Sequence, residues 1–448
     1  MNIQKSGSSK VLKILYINYD FPPMSGPGVW RALWFIRHLH AEGFQFTVMC
    51  GDRSDWNDRF DESLMSQIPT GVDIVRLRAF FVKDIVTAID RLTTKRAWLR
   101  RLFIPIRAIA SQFSSWNPDP NLWWMIKGCL RAIFIARGQR FDRIITSGPP
   151  HVVHLVGLAV KKTCGTHWIM DYRDLWSDDP SQGRQVGISG RLSKRAERAC
   201  VSNADRIVTV SPYWLSLLSK GDRAPRSADS FVLIRNGHNI DPIDSAPITP
   251  NVENGLTVHY NGTPQSLSET PHLVDALDRY RSEHSELSLP VITFCGLSRT
   301  LSALVSKKCL QDAVVDLGVL SYQESIEASR QADALLVIVN EEHSAMLGTI
   351  PAKTYEAIAL HKHIFAIVPL KSDVRSLLTE YGNVTLCDVN DPDDVYRGLC
   401  ALISRHHAGK LADTAANEHS NAFAQRFSRK ELALQLAKVF RAAHERDL

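Results

Sequence analysis

Lys353 and Glu356 are the side chains of this sequence best suited to bind a charged ligand. They lie one helical turn apart in residues 348–361, GTIPAKTYEAIALH, which follow the apolar run 334–340 after a short loop. The start of a helix presents free backbone N–H groups and the positive end of the helix dipole to an anion. Lys353 adds a charge, and Glu356 can accept hydrogen bonds from vicinal sugar hydroxyls. The segment suits a nucleotide diphosphate with its ribose, although strand, loop and helix in this order are common in α/β proteins.

A second loop with binding potential is residues 20–30, DFPPMSGPGVW, which follows the first predicted strand. Gly26 and Gly28 would let the backbone approach a ligand closely at the start of the next helix. The loop differs from G-x-G-x-x-G because Arg31 stands three residues after Gly28, and this disfavours a dinucleotide-binding dehydrogenase. The alternative interpretation is that Pro and Gly only end a strand here.

Two further strand ends carry polar side chains, SGPPH at residues 147–151 and DYRDLW at residues 171–176. Carboxylates on either side of Arg173 could bind sugar hydroxyls or orient a nucleophile. We select Asp174, since the first of the two carboxylates is expected within the strand. His151 is another catalytic candidate, although a lone histidine in such a loop is more often a structural hydrogen-bonding residue.

Sequence patterns of several enzyme classes are absent. The chain has no G-x-S-x-G elbow, Walker loop or H-E-x-x-H, which disfavours hydrolase, P-loop and zincin chemistry. Its eight cysteines are scattered without C-x-x-C or Cys/His spacing. We therefore expect reduced core thiols and no metal site.

Composition indicates an ordinary globular protein. The 448 residues, 44% hydrophobic and 22% charged, predict two or three domains. A net charge of +6 does not favour nucleic acid as a partner. No apolar run reaches about 18 residues, and residues 1–10 lack the apolar core of a signal peptide, so a cytoplasmic location is expected.

Residues 91–107 form a basic amphipathic stretch that contains no acidic residue. The stretch predicts peripheral contact with an anionic membrane, at the inner face of the cell membrane. The alternative is a helix packed by its apolar residues with a solvated basic face.

Short apolar runs alternate with helical patterns, which predicts an α/β fold built on parallel sheets. In the first half, strands are expected at residues 13–19, 46–50, 72–76, 143–147, 168–171 and 206–210. In the second half, they are expected at residues 256–260, 291–295, 314–318, 334–339, 363–368 and 383–387. Residues 236–254, rich in Asn, Asp and Pro, are interpreted as a connection between the halves.

We therefore predict two Rossmann-like domains and a terminal helix. Residues 1–240 would form the first domain and residues 241–427 the second. Residues 428–448 would form a helix that packs back toward the first domain. Ligand is expected where the carboxyl ends of both sheets face a shared cleft.

With both halves placed, the chain resembles the glycosyltransferase family 4 type of the GT-B superfamily, in its bacterial surface-polysaccharide branch. The resemblance rests on five segments in this order: KILYINYDFPPMSGPGVWRALWFIRHL, SGPPHVVHLVGLAVKKTCGTHWIMDYRDLW, RAERACVSNADRIVTVSPYW, IRNGHN and GTIPAKTYEAIALHKHIFAIV. It implies a GT-B fold, in which residues 1–240 would be the acceptor-side domain and residues 241–427 the nucleotide-sugar donor domain. It also implies retaining transfer from a nucleotide-diphosphate sugar, with no metal and no further cofactor.

The resemblance also implies roles for individual residues. Lys353 would meet the donor diphosphate and Glu356 the ribose, and both are taken as catalytic together with Asp174 and His151. The other donor-binding positions would be Gly26, Gly28, Gly262, Thr263, Gly348, Thr349 and Ile350. The acceptor-side positions would be Arg31, Ser147 and Arg173.

Three positions depart from the family pattern. Gly348 stands where many members carry an acid eight residues before Glu356, and the loop PQSLSETP offers Glu269 where a basic residue is frequent. The histidine that many members place after the SGPP-type strand falls at Ser147, which leaves His151 or His154 as substitutes.

The expected activity is transfer of a sugar to a glycan or lipid-linked acceptor in surface-polysaccharide or glycolipid synthesis. A nucleotide-sugar epimerase or hydrolase on the same scaffold is one alternative. A non-catalytic protein that binds sugar nucleotides or glycans is the other, because an acid and a basic residue of the family pattern are replaced.

Overall fold

The computed structural model describes residues 11–52, 60–78, 122–177, 187–220, 230–240, 255–262, 271–340, 344–411 and 418–442. These residues form two compact units. The first contains the described residues of Met1–Val210, Trp214–Ile234 and Ala433–Leu448. The second contains those of Ser211–Tyr213 and Arg235–Leu432.

The first unit is built on a sheet in which seven parallel strands are described. Its strands are β1 Lys13–Asn18, β2 Gln45–Gly51, β3 Asp73–Leu77, β4 Arg143–Gly148, β5 His167–Tyr172, β6 Arg206–Thr209 and β7 Phe231–Leu233. Their order in the sheet is β3-β2-β1-β4-β5-β6-β7. Most are apolar and buried along their length, as expected for parallel strands covered on both faces.

Helices connect these strands. They are α1 Pro27–Ala41, α2 Leu122–Gln139, α3 Val152–Cys164, α4 Gly187–Asn203 and α5 Pro212–Lys220. The crossovers that contain α2, α3 and α4 all advance in one direction, from β3 to β4, β5 and β6. Right-handed connections place such helices on one face of the sheet, and α3 accordingly packs against both α2 and α4.

The second unit is built on a sheet in which six parallel strands are described. Its strands are β8 Thr257–Tyr260, β9 Val291–Phe294, β10 Val314–Asp316, β11 Ala334–Ile338, β12 His363–Val368 and β13 Val384–Asp388. The order is β10-β9-β8-β11-β12-β13. With β8 counted as the first strand, this is the 3-2-1-4-5-6 order of the Rossmann fold, which the first sheet also contains.

The remaining helices follow in chain order. They are α6 Pro271–Glu283, α7 Arg299–Lys307, α8 Tyr322–Gln331, α9 Ala352–Ala359, α10 Asp373–Tyr381, α11 Pro392–His407, α12 Glu418–Gln425 and α13 Arg429–Ala442. The end of α13 belongs to the first unit, where the Phe440 ring lies 5.7 Å from that of Phe44. Arg143 Nε donates a hydrogen bond of 3.2 Å to the Phe440 carbonyl oxygen.

The core of the second unit lies on both faces of its sheet. Along β11, Ala334, Leu336 and Ile338 point into one apolar cluster. Leu335 and Val337 point into the other. This alternation follows from the two-residue period of a strand and explains why β11 is a continuous apolar run in the sequence.

The predicted α/β fold with two Rossmann-like parallel-sheet domains is confirmed. All predicted strands are found, with ends that differ by at most two residues. The short strand β7 was not predicted. Asp393 and Asp394 lie in the first turn of α11, where Asp391 accepts hydrogen bonds from their backbone N–H groups. Acids are favourable at a helix start.

Two of the expectations concern contact with a membrane. The basic stretch 91–107 lies outside the described residues, so the structure does not address its membrane contact. Of the helices described, none combines the length and apolar content that a membrane span requires.

Gly398 offers a test of the second unit's core. In α11 a methyl group at this position would overlap with the Cys387 sulfur and lie 3.3 Å from the Phe365 ring. We expect Gly398→Ala to destabilise the second unit by about 1–3 kcal/mol. All ten tryptophans precede residue 215. Thermal unfolding followed by circular dichroism should therefore shift downward while the tryptophan fluorescence transition stays in place.

Gly138→Ala is the matched control, since a methyl group on that residue of α2 would meet no atom within 4 Å. We expect it to leave both transitions unchanged or slightly raised. Equal transitions for Gly398→Ala and the parent chain would contradict the packing described for α11.

Candidate functional site

The candidate site in the second unit lies at the carboxyl ends of β8 and β11. These strands are neighbours, yet the connection from β8 leads to β9 on one side and that from β11 leads to β12 on the other. The loops therefore diverge at this point and leave a crevice, which is where open α/β sheets bind ligands. Asn261 and Gly262 follow β8, and α9 follows β11.

The sequence between β11 and α9 fixes where the helix starts. A 3₁₀ turn over Ser344–Gly348 is followed by Pro351, whose φ of −58° and ψ of 144° place it at the N-cap. The helix then anchors itself through Tyr355 and Ile358, which are fully buried. Lys353 and Glu356 remain half-buried on the other side, three residues apart.

Lys353 lies against the end of β8. Its ammonium nitrogen is 3.4 Å from the centroid of the Tyr260 ring, a cation–π contact. A Cβ at Gly262 would lie 3.2 Å from this nitrogen, and the φ of Gly262 is +129°, which favours glycine. The predicted binding residues Gly262 and Lys353 are thus brought together, and glycine at 262 gives the ammonium its space.

Glu356 is held by the same strand end. Asn261 Nδ2 donates a hydrogen bond of 3.0 Å to Glu356 Oε2. Burial raises the pKa of Glu356, while Arg429, Lys353 and this hydrogen bond act in the opposite direction. The carboxylate is therefore oriented from β8 and keeps Oε1 for a further donor, since Oε2 takes the one hydrogen bond found for this side chain among the described residues.

Burial also changes the protonation of Lys353. It lowers the pKa of Lys353 to about 7, an effect that the nearby Glu356 partly offsets. Near neutral pH the ε-amine is thus divided between its neutral and charged forms. An anion in the crevice would favour the charged form, so the site is poised to take up a proton when it binds one.

His259, which precedes Tyr260 in β8, is buried and has polar neighbours. His259 Nδ1 lies 2.8 Å from Thr293 Oγ1, and His259 Nε2 lies 3.7 Å from the Cys295 sulfur. Burial, together with the charge of Lys353, lowers the pKa of His259 to about 4. His259 is therefore neutral at physiological pH.

The other donor-binding residues predicted in this unit lie nearby in the chain. Gly348 is buried and Thr349 half-buried, and the Thr349 N–H donates to the Met346 carbonyl. The Ile350 side chain packs in the apolar core, so any ligand contact at this position would come from its backbone. Thr263 and Glu269 lie outside the described residues.

In the first unit, Asp171 joins two of the predicted acceptor-side residues. Arg31 donates to it through Nε and Nη2, at 3.1 and 2.9 Å, and Ser147 Oγ donates at 2.7 Å. Arg31 Nη2 also donates to the Ile234 carbonyl at 3.0 Å. Arg31, Ser147 and Asp171 are all buried. The charge of Arg31 is therefore neutralised inside the protein, which favours a structural role.

Arg173 is held differently. Its Nε and Nη2 donate to the carbonyls of Gly148 and Pro149, at 3.1 and 2.6 Å. A Cβ on Gly28 would overlap with its Nη1. In the described part of the chain no carboxylate pairs with this buried guanidinium. Its charge is thus available beside the glycine loop, in which Gly26 has a φ of +137°.

The catalytic candidates His151 and Asp174 occupy different surroundings. His151 is buried, stacks on Trp176 with ring centroids 5.2 Å apart, and has Nε2 3.1 Å from the Leu175 carbonyl oxygen. Burial lowers its pKa to about 3, so it is neutral. Asp174 is exposed. These surroundings favour a structural role for His151, and the catalytic assignment of both residues stays a prediction.

Several residues of these clusters were not predicted. Tyr260 and Asn261 contact Lys353 and Glu356 from more than 90 positions earlier in the chain, and Asp171 was regarded as a strand residue without a role. One sequence signal was available, since Asn261 and Gly262 end the first strand of the second half. No group of three side chains suited to metal binding is found in the ranges that the structure describes.

Known proteins are similar to this chain in sequence and in fold. Residues 27–237 match the family described as "Glycosyl transferase 4-like domain". The probable glycosyltransferase WbjE of Pseudomonas aeruginosa is 22% identical over 271 residues, which are 57% of this chain and 65% of that protein. The chain thus spans about two thirds of the length of this relative.

Solved structures agree in fold. Sucrose-phosphate synthase from Thermosynechococcus elongatus has a TM-score of 0.65 at 13% identity and covers 97% of this chain and 99% of its own. The apo form of the lipopolysaccharide outer core galactosyltransferase WaaB has a TM-score of 0.60 at 14% identity and covers 96% and 100%. At these identities the likeness establishes the GT-B fold alone.

Asp171→Asn tests the buried cluster of the first unit. The substitution keeps the shape but leaves Arg31 as a buried cation without its counter-charge. We expect a loss of about 3–5 kcal/mol, as when one partner of a buried ion pair is removed. Denaturant unfolding followed by tryptophan fluorescence reports on this unit alone.

Glu42→Gln serves as the control, because it neutralises an exposed carboxylate of the same unit. Exposed charges contribute little to stability, so the midpoint should hardly move. A similarly small change for Asp171→Asn would show that Arg31 does not depend on this carboxylate.

Proposed function

We propose that the chain transfers a sugar from a nucleotide-diphosphate sugar to an acceptor, with retention of configuration; the support is the match of residues 27–237 to the glycosyl transferase 4-like domain, together with the GT-B fold. The observation that carries this proposal is the arrangement of Lys353, Glu356 and Asn261 at the switch point between β8 and β11. It combines a cation at a helix start with a carboxylate oriented one turn further on.

Lys353 is the proposed partner of the donor diphosphate. In the transfer, the bond between the sugar's anomeric carbon and the diphosphate breaks, and negative charge develops on the leaving oxygen. A preorganised cation at this point can lower the barrier by several kcal/mol. The free N–H groups at the start of α9 would add to it.

Glu356 is the proposed partner of the ribose. Asn261 occupies Oε2, which fixes the carboxylate plane and directs Oε1 away from that bond. Two vicinal hydroxyls could donate to the two carboxylate oxygens, as Oε2 retains a further lone pair. These hydrogen bonds would recognise the ribose of the nucleotide and need no contact with its base.

The first unit contributes a second candidate for anion binding. Arg173 carries a buried charge without a carboxylate partner in the described part of the chain, next to Gly28 and the start of α1. We propose that it binds an anionic group of the acceptor. Arg31 and Ser147 would support this region through Asp171 rather than contact the substrate.

The proposed acceptor is a glycan or a lipid-linked glycan of surface-polysaccharide or glycolipid synthesis. The support is the family and the name of WaaB, which assigns that protein to the lipopolysaccharide outer core. The sugar, the nucleotide and the linkage are to be found by mass spectrometry of products from a panel of nucleotide sugars.

Lys353→Ala tests the proposal. With the donor identified by the panel, we expect kcat/KM to fall by about two to three orders of magnitude, since one stabilising partner of the leaving group is lost. Lys371→Ala, which removes an exposed lysine of the same unit, is the control and should leave turnover unchanged. Near-normal turnover of Lys353→Ala would contradict the assigned role.

The same assay separates the alternatives. Consumption of the donor without an acceptor would favour an epimerase or a hydrolase. Donor binding without any product would favour a binding protein. Acceptor-dependent release of the nucleotide diphosphate is the result that the proposal requires.

The pH dependence of donor binding is a separate prediction. Burial holds the pKa of Lys353 near 7 in the free protein, and a bound diphosphate would raise it. The ammonium's share of the affinity is then complete below pH 7 and is lost as the pH rises toward the pKa of the complex. We expect the Kd to rise by up to about tenfold for each pH unit above 7.

Titration calorimetry with a nucleotide sugar at several pH values measures this change in Kd. The doubly esterified diphosphate of the ligand does not itself titrate near neutral pH. Lys353→Gln should bind more weakly and lose the slope. A wild-type Kd that is constant from about pH 6 to about pH 9 would contradict the lowered pKa of the lysine.

A further inference from the structure

Helix α2 has an apolar outer face that the described residues leave exposed. Trp123 is 48% exposed, Ile126 43%, Leu130 71% and Phe134 70%. At 100° per residue these four side chains fall within an arc of about 80° and extend over about 16 Å of helix. The outward face of a helix on a globular protein is normally polar, so this stripe is unusual.

The opposite face of α2 already serves the core. Trp124 and Ala132 are fully buried, and Gly128 lies so close to α3 that its Cβ would be 3.2 Å from Val156 Cγ2. The helix is thus apolar on both sides, while only one side packs against the described residues of the unit. The exposed stripe is therefore additional to what folding requires, and large exposed apolar patches mark interaction sites.

The exposed charges described on helices α2, α3 and α4 are all basic. Helices α2, α3 and α4, which lie on the same face of the sheet, contain nine basic residues and one acidic residue. The acid, Glu197, is buried and bonded to the Tyr172 hydroxyl. Of the bases, Lys161 is paired with Asp205, while Arg131, Arg137, Arg191, Lys194, Arg195 and Arg198 are exposed. The helix layer carries a larger positive excess than the +6 of the whole chain.

We propose that the outer face of α2 docks on an anionic lipid surface. Trp123, Ile126, Leu130 and Phe134 would enter the boundary between headgroups and acyl chains, and the exposed arginines of α2 and α4 would contact anionic headgroups. A helix with an apolar stripe, a tryptophan and only basic charges has the composition of an interfacial helix. The proposal deepens the proposed function by placing the chain where a lipid-linked acceptor would lie, but the docking itself needs no transfer activity.

Flotation of the full chain with vesicles tests the docking. Vesicles of phosphatidylcholine alone are compared with vesicles of equal parts phosphatidylcholine and phosphatidylglycerol. We expect binding to the second kind and little to the first. Leu130→Ser/Phe134→Ser should lower the partition coefficient by roughly 100-fold, because two large apolar contacts with the membrane are lost.

Val319→Ser/Leu370→Ser is the matched control, as these two apolar side chains of the second unit are 92% and 59% exposed. It should float like the parent chain. A second variant, Arg131→Glu/Arg137→Glu, changes only exposed residues and leaves the core untouched. It should weaken binding to the anionic vesicles and remove most of its salt dependence.

Three results would overturn the proposal. The first is that the parent chain floats with neither kind of vesicle. The second is that Leu130→Ser/Phe134→Ser floats like the parent. A dimer of the parent in sedimentation, lost in this variant and accompanied by no flotation, would assign the stripe to a second copy of the chain. Because flotation involves no donor, it is independent of whether sugar transfer is found.

Discussion

The second unit's candidate site depends on one contact, the ammonium of Lys353 held over the Tyr260 ring at the end of β8. This contact joins α9 to a strand that precedes it by about ninety residues, and it partly buries the lysine without pairing it directly with a carboxylate. The same strand end orients Glu356 through Asn261. An amine that is only partly protonated in the free protein is suited to bind an anion, because the anion supplies the counter-charge that stabilises the protonated form.

The two units use the same position of the Rossmann fold in different ways. In the second unit the charges at the switch point remain available. In the first unit Arg31 and Asp171 neutralise each other in the interior, where the pair fixes strand ends and α1 relative to each other. At these strand ends, Arg173 is a buried cation with which no carboxylate among the described residues pairs. The first unit therefore offers a rigid frame with one cation beside the glycine loop.

Most of the fold could be predicted from the sequence because the strands are buried on both faces and form continuous apolar runs, of which β11 is an example. The strand β7 was missed because three half-buried residues give no period to detect. Lys353 and Glu356 were found because their spacing along one helix is local information. Their partners Tyr260 and Asn261 were not, since contacts across neighbouring strands depend on strand order, which no local pattern encodes. Asp171 was overlooked for the same reason.

The central claim is that a nucleotide diphosphate binds at the carboxyl ends of β8 and β11. A crystal structure of the chain with the nucleoside diphosphate selected by the donor panel tests it most directly. The account predicts a phosphate oxygen within hydrogen-bonding distance of Lys353 Nζ and the ribose hydroxyls on the carboxylate of Glu356. A nucleotide bound elsewhere, with Lys353 still over Tyr260 and no ligand atom near it, would contradict the account.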